Sequence, residues 1–171
     1  MSCVTALSYA QSPYDAYAGF SIPAADAIVR YRIARVVTIS ALGREERRYA
    51  GHVSASLAMD DLFRSTGVHL RALTMPSFMD NMLWQAPSIK NDGVISATLP
   101  GDLKAPTVAT RDIAAVATRL LLDHTWTGQD SLGVLGPEDL SFNEWPRSSP
   151  TSSAGQSGSR KAAARRTSSD S

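Results

Sequence analysis

The chain has very little cysteine: Cys3 is the single one in 171 residues. No internal disulfide can form, and a reducing compartment is the simple expectation. No apolar run approaches the roughly 20 residues a bilayer span needs, and the opening "MSCVTALSYAQ" lacks the charged and apolar regions of a secretory signal. A cytoplasmic protein with no membrane partner is expected. The formal net charge of +1 gives no global attraction to nucleic acid, which is not expected as a partner. There is no G-x-G-x-x-G, no G-x-x-x-x-G-K-[ST] and no G-x-S-x-G elbow. His52, His69 and His124 do not share the spacing of ligands on one helix face, so no metal site is assigned.

What is present is enough apolar sequence, 43% of residues, for one domain with a sizeable core. It is unevenly spread. From Arg147 the chain reads "RSSPTSSAGQSGSRKAAARRTSSDS", too poor in large apolar residues to offset its ordering entropy, and disorder is expected over 146–171. Five basic residues against Asp170 give this tail a charge of about +4 and leave the remainder near −3 of the total +1.

Between the ends, strands alternate with helices. "PAADAIVRYR" (23–32) suits a short helix with proline in its first turn. "RVVTIS" is a β-branched run of strand length, suited to a strand covered on both faces. Ala55, Met59, Leu62 and Phe63 mark an amphipathic helix over 51–66, with Gly67 as its stop. Val68–Thr74 is the next strand. Ile113, Val116, Ala117, Leu120 and Leu121 define the clearest helix, over 111–123. Short strands are expected in "VISATL" (94–99) and near 131–135, and Ser141 with Glu144 has capping-box spacing ahead of Pro146. The fold class expected is α/β, a partial Rossmann-like parallel sheet with strands near 35–40, 68–74 and 131–135 and flanking helices.

The stretch "LRALTMPSFMDNML" is the informative junction. Proline pushes Met75 into extended geometry, and Ser77 with Asp80 has the spacing to start a helix from Phe78 to about Gln85. In open parallel sheets, ligands bind at the carboxyl ends of strands. Ser40 ends one strand and Pro76 follows the next, so both border one crevice if the strands are parallel neighbours. Asn81, a poor helix former, wants a hydrogen-bonding partner.

The pieces "RVVTISALG", "LFRSTGVHLRALTMPSFMDNML", "TVATRDIAAVATRLLLD", "WTGQ" and "GPEDLSFNE" resemble, in order, NmrA-like NAD(P)-binding proteins, an atypical branch of the short-chain dehydrogenase/reductase superfamily. The resemblance runs from about Ala18 to Trp145 and divides the chain into an atypical segment (1–17), the carboxyl-terminal part of a Rossmann domain (18–145) and the tail (146–171). It implies that Ser40, Ala41, Pro76, Phe78 and Asn81 line the nicotinamide end of an NAD(P) site. It further implies either redox sensing or NAD(P)H-dependent reduction of a small electrophile.

The sequence departs from the family at two places. His52 and Ser56 stand where reductases of the superfamily carry tyrosine and lysine, so no catalytic residue is assigned. The Gly-rich phosphate turn is missing. The expectation is a shortened form of a longer parent that binds dinucleotide weakly or not at all and self-associates through an exposed sheet edge. The rivals are an oxidoreductase completed by another chain and a non-enzymatic interaction module.

Overall fold

A computed structural model of the chain describes residues 10–92, 100–141 and 143–144. Cys3, the whole strand expected over 94–99 and the Ser/Arg-rich tail lie outside the described residues. The chain divides into two units, residues 1–80 with 106–139, and residues 81–105 with 140–171.

The first unit is built on three strands: β1 (Arg35–Ala41), β2 (His69–Met75) and β5 (Gln129–Gly133). They form one parallel sheet in the order β1-β2-β5. β2, at the centre, is buried along most of its length, with Leu70, Ala72 and Leu73 fully buried. β5 is exposed throughout and begins earlier than the sequence suggested. Two further short strands, β3 (Ser77–Phe78) and β4 (Thr107–Val108), make a separate parallel pair.

Helices α1 (Phe20–Tyr31) and α2 (His52–Ser65) cover one face of the sheet, and α4 (Thr110–Leu122) packs on the other. The first core joins Ala25 and Ile28 of α1, Phe63 of α2, and Val68 with Leu70 at the start of β2. The second joins Leu73 and Met75 of β2 to Val108, Ile113 of α4 and Val134. The odd–even alternation of strand side chains explains this division: Leu70 looks one way, Leu73 and Met75 the other.

The sequence reading places the start of the first helix at Pro23, and the structure moves it upstream. Helix begins at Pro13, where Ser12 Oγ accepts the Asp15 N–H at 3.1 Å and donates to the Asp15 carboxylate at 2.8 Å. A π-helical turn, Asp15–Gly19, then leads directly into α1. There Phe20 N–H reaches back five residues to the Asp15 carbonyl. Pro23 therefore sits inside a longer helix, just beyond a widened turn that shifts the hydrogen-bond register.

The helix expected from Phe78 is also different. Met79–Gln85 is a 3-10 helix with no buried residue, and a separate helix, α3 (Ala86–Asp92), follows it. Without a buried stripe, nothing holds the first segment in α geometry, while Pro87 is suited to the first turn of the second.

In the second unit, Ala105 and Leu140 exchange N–H···O bonds of 3.2 Å in an antiparallel bridge. Ser141 and Glu144 pair, but across a turn and with only one of the two bonds of a capping box: Glu144 accepts both the Ser141 N–H and its hydroxyl at 3.0 Å. Lys104 pairs with the same carboxylate at 2.8 Å. These contacts and the Ser141 bonds hold Glu144 down to about pKa 2.

Candidate functional site

β1 and β2 run in register, Ser40 opposite Thr74 and Ala41 opposite Met75, so their carboxyl ends finish side by side. The ladder extends one bond further, Leu42 N–H to the Met75 carbonyl at 3.2 Å. Pro76, which has no N–H, then ends β2's pairing. Ser40, half-buried Ala41 and half-buried Pro76 are thus brought to one edge of the sheet, as the sequence suggested.

Ser40 itself is committed to a buried polar cluster. Its hydroxyl donates to Asp60 Oδ2 at 2.5 Å, and Thr38 donates to Asp60 Oδ1 at 2.8 Å. Ser56 Oγ lies 3.2 Å from Ser40 Oγ. With the Ser40 proton directed to Asp60, Ser56 is the donor of that contact, and the Ser40 oxygen retains acceptor capacity only. Asp60 is completely buried. Burial pushes its carboxyl pKa up. Hydrogen bonds from Ser40 and Thr38 and the fields of Arg44 and Arg64 oppose that shift. Arg44, from the loop after β1, lies 3.9 Å from Asp60 and pairs at 2.8 Å with exposed Asp61.

Sequence reasoning singled out Ser40 and Ser56 but missed Asp60. The available signal was helical spacing: Ser56, Asp60 and Phe63 follow i, i+4, i+7 on the buried stripe of α2. His52 begins α2 exposed, its ring edge-on to Tyr17 with centroids 6.0 Å apart.

Phe78 is half-buried and packs against the cluster of Leu73, Met75, Val108, Ile113 and Val134. Asp80 does not start its own helix. Its carboxylate accepts the Thr110 N–H at 2.9 Å, caps the amino terminus of α4 and has its pKa lowered by that bond. Asn81 is exposed in the 3-10 helix and belongs to the second unit. Among the described residues, no group of three or more His, Cys, Asp or Glu side chains is placed to hold a metal ion, and no helix is long and apolar enough to cross a membrane.

No protein-family profile matches the chain, and no curated protein matches it. Solved structures do. A nucleoside-diphosphate-sugar epimerase from Staphylococcus aureus superposes with a TM-score of 0.58 at 16% identity, over 75% of this chain and 47% of its own. The Citrobacter sp. triphenylmethane reductase, complexed with NADP(H), gives 0.59 at 14% identity, over 70% of this chain and 41% of its own. The Bordetella bronchiseptica enzyme WbmG, in complex with NAD and UDP, gives 0.54 at 14% identity, over 77% and 47%. The chain spans less than half the length of each of these structures, and at such identities the likeness is one of fold: a Rossmann-like parallel α/β sheet.

Proposed function

We propose that the chain is the nicotinamide-end portion of an NmrA-like NAD(P)-binding protein whose parent senses redox state or reduces a small electrophile. The observation that carries this reading is the paired ending of β1 and β2, Ser40 beside Thr74 and Ala41 beside Met75. Strand ends of an open parallel sheet are where such folds take their ligands, and two of the structures with this fold hold NADP(H) or NAD. Ser40, Ala41, Pro76 and Phe78 are the proposed contacts; Asn81, exposed and in the second unit, is not among them. Ser40 fits a nicotinamide carboxamide, because its oxygen, which accepts from Ser56, keeps one lone pair to accept from the amide. Phe78 contributes by shaping the wall from its core position.

In this reading the chain binds dinucleotide poorly by itself. A Gly-rich turn and helix amino terminus ordinarily hold the pyrophosphate, and this sequence has no such turn. Charge-assisted bonds contribute about 1.5–3 kcal/mol each, so lacking two or three costs on the order of 4–8 kcal/mol. That turns a micromolar site into one weaker than millimolar.

A second reading, an oxidoreductase completed by another chain, is favoured by the outer edge of β1. Among the described strands β1 pairs only with β2, and its Ile39 is 45% exposed. The same edge supports self-association.

Calorimetric titration with NADPH and NADH, together with amide NMR shifts, tests the proposal. Binding weaker than millimolar, with shifts centred on Ala41, Leu42 and Met75, is the expected result. Micromolar stoichiometric binding by a monomer would overturn the divided-site argument. Shifts confined to other regions would overturn the site.

A further inference from the structure

At the opposite, amino-terminal end of β1 the first unit holds an open surface cavity of about 330 Å³, lined in part by exposed Arg32, Ile33, Leu121 and His124 and by half-buried Arg35 and Trp126. That volume lies at the small end of the range for ligand pockets. Its chemistry is lopsided: three basic side chains line it together with an aromatic and an aliphatic wall, and no carboxylate does.

Trp126 is fixed from several sides. Its indole N–H donates to the Leu120 carbonyl at 2.9 Å, and its own carbonyl accepts Arg35 Nε at 2.8 Å. The Arg71 and Arg35 guanidinium carbons lie 4.7 and 5.7 Å from its ring centroid. Arg71 spends its nitrogens on the Leu70, Thr127 and Gly128 carbonyls. Arg35 is bound through Nε alone, which leaves the two terminal nitrogens of its fork for another acceptor. Among the described residues, neither Arg32, Arg35 nor His124 forms an ion pair with a carboxylate. The neighbouring Asp123 is held by the Thr125 N–H and hydroxyl at 2.8 and 2.6 Å. Its carboxyl pKa is lowered by those bonds and, in smaller part, by the charges of Arg35 and His124, which it partly balances without an ion pair.

Arg32 adds an independent observation. It caps α1 in the left-handed region at φ 52°, ψ 46°, and is the only non-glycine residue with positive φ among those described. Glycine is the default there. A long cation in this conformation costs backbone energy that glycine would not, and such costs persist where the side chain has a use.

We propose that this cavity binds a small aromatic carboxylate. The carboxylate lies on the free fork of Arg35 and on Arg32, and the ring lies against Trp126 and Leu121. A planar, bidentate anion suits the arginine fork, and a flat apolar body suits the remaining walls better than a compact, strongly hydrated phosphate. This site is separate from the strand ends proposed for dinucleotide and does not depend on them.

The test uses the full chain and 1-naphthoate, with the uncharged 1-naphthamide as its isostere. Binding is read from the Trp126 indole N–H resonance, assigned by comparing Trp84→Phe and Trp145→Phe. A saturable shift with naphthoate, and binding of naphthamide weaker by about tenfold or more, is expected from the loss of one charge-assisted contact. Arg32→Gly is the decisive variant. It relieves the positive φ, so the melting temperature holds or rises, while naphthoate affinity falls about tenfold. No saturable shift up to about 10 mM naphthoate, which excludes even weak binding, would overturn the proposal. So would equal binding of the amide, or wild-type affinity in Arg32→Gly.

Discussion

On the face of the sheet turned to α2, β1 buries two hydroxyls, Thr38 and Ser40, against a fully buried carboxylate, Asp60. On the face turned to α4, the same strand lays Val37 against an apolar cluster and leaves Ile39 half in solvent. One strand thus serves two kinds of interface a single residue apart. The apolar face gains by removing surface from water, and it can be left incomplete at its edge at modest cost. The polar face must be complete, because each buried donor or acceptor without a partner costs about 1–3 kcal/mol. Asp60 accepts from both hydroxyls, and Ser56 closes the set. The result is a Ser40 whose orientation is dictated by Asp60 and Ser56 at the carboxyl end of β1.

The largest effect that can sharpen this contrast is on the apolar face. Leu73 is fully buried in the second core, and Leu73→Ala should destabilise by about 3–4 kcal/mol through lost burial and the cavity left behind. Urea unfolding measures it; a loss below about 1 kcal/mol would mean that this face does not carry stability.

On the polar face, Asp60→Asn should change stability by no more than about 1 kcal/mol at neutral pH, because a buried charge returns little net stabilisation. Its signature is pH dependence. The folded pKa of Asp60 is raised above the ordinary 3.8 by burial. Its contribution is therefore fully present below 3.8 and is lost as pH rises through the folded value. Subtracting the urea midpoints of Asp60→Asn from those of the original across pH 3–8 should give a difference that falls with rising pH. A flat difference would contradict a raised pKa and break the contrast between the faces.

The smallest effect is the mirror case in the second unit. Glu144 is held at about pKa 2 by Lys104 and Ser141, below its ordinary 4.5. Its contribution is present above 4.5 and is lost as pH falls toward 2, the opposite sign to Asp60. Glu144 is exposed, so the effect should be small and screened by salt. Titration of its side-chain carboxyl by NMR should show the pKa rising in Lys104→Gln while staying below the ordinary 4.5, because the two Ser141 bonds remain. An unchanged pKa in that variant would remove Lys104 as the cause.

Much of the sheet could be read in advance because its signals are local. "RVVTIS" is β-branched and apolar enough to be covered on both faces, and the helix around Ile113 to Leu121 repeats its apolar spacing faultlessly. Asp60 was missed because, beside Asp61, it looks like a pair of surface charges. Only the placement of β1 over α2 gives it partners 20 and 22 residues away. Asp80 carried a correct signal, a cap, with the wrong object: the amide it serves is Thr110, 30 residues on.

Composition and periodicity thus determined the kind of layers and the parallel sense of β1 and β2, because hydrophobic period and proline chemistry act within a few residues. Tertiary structure decided the rest. It chose which polar side chains would share a buried site, which helix Asp80 would cap, and that Arg32, Arg35 and Trp126 would meet around one cavity. Those outcomes depend on contacts between distant segments, and no local pattern encodes which distant groups will come within 3 Å of one another.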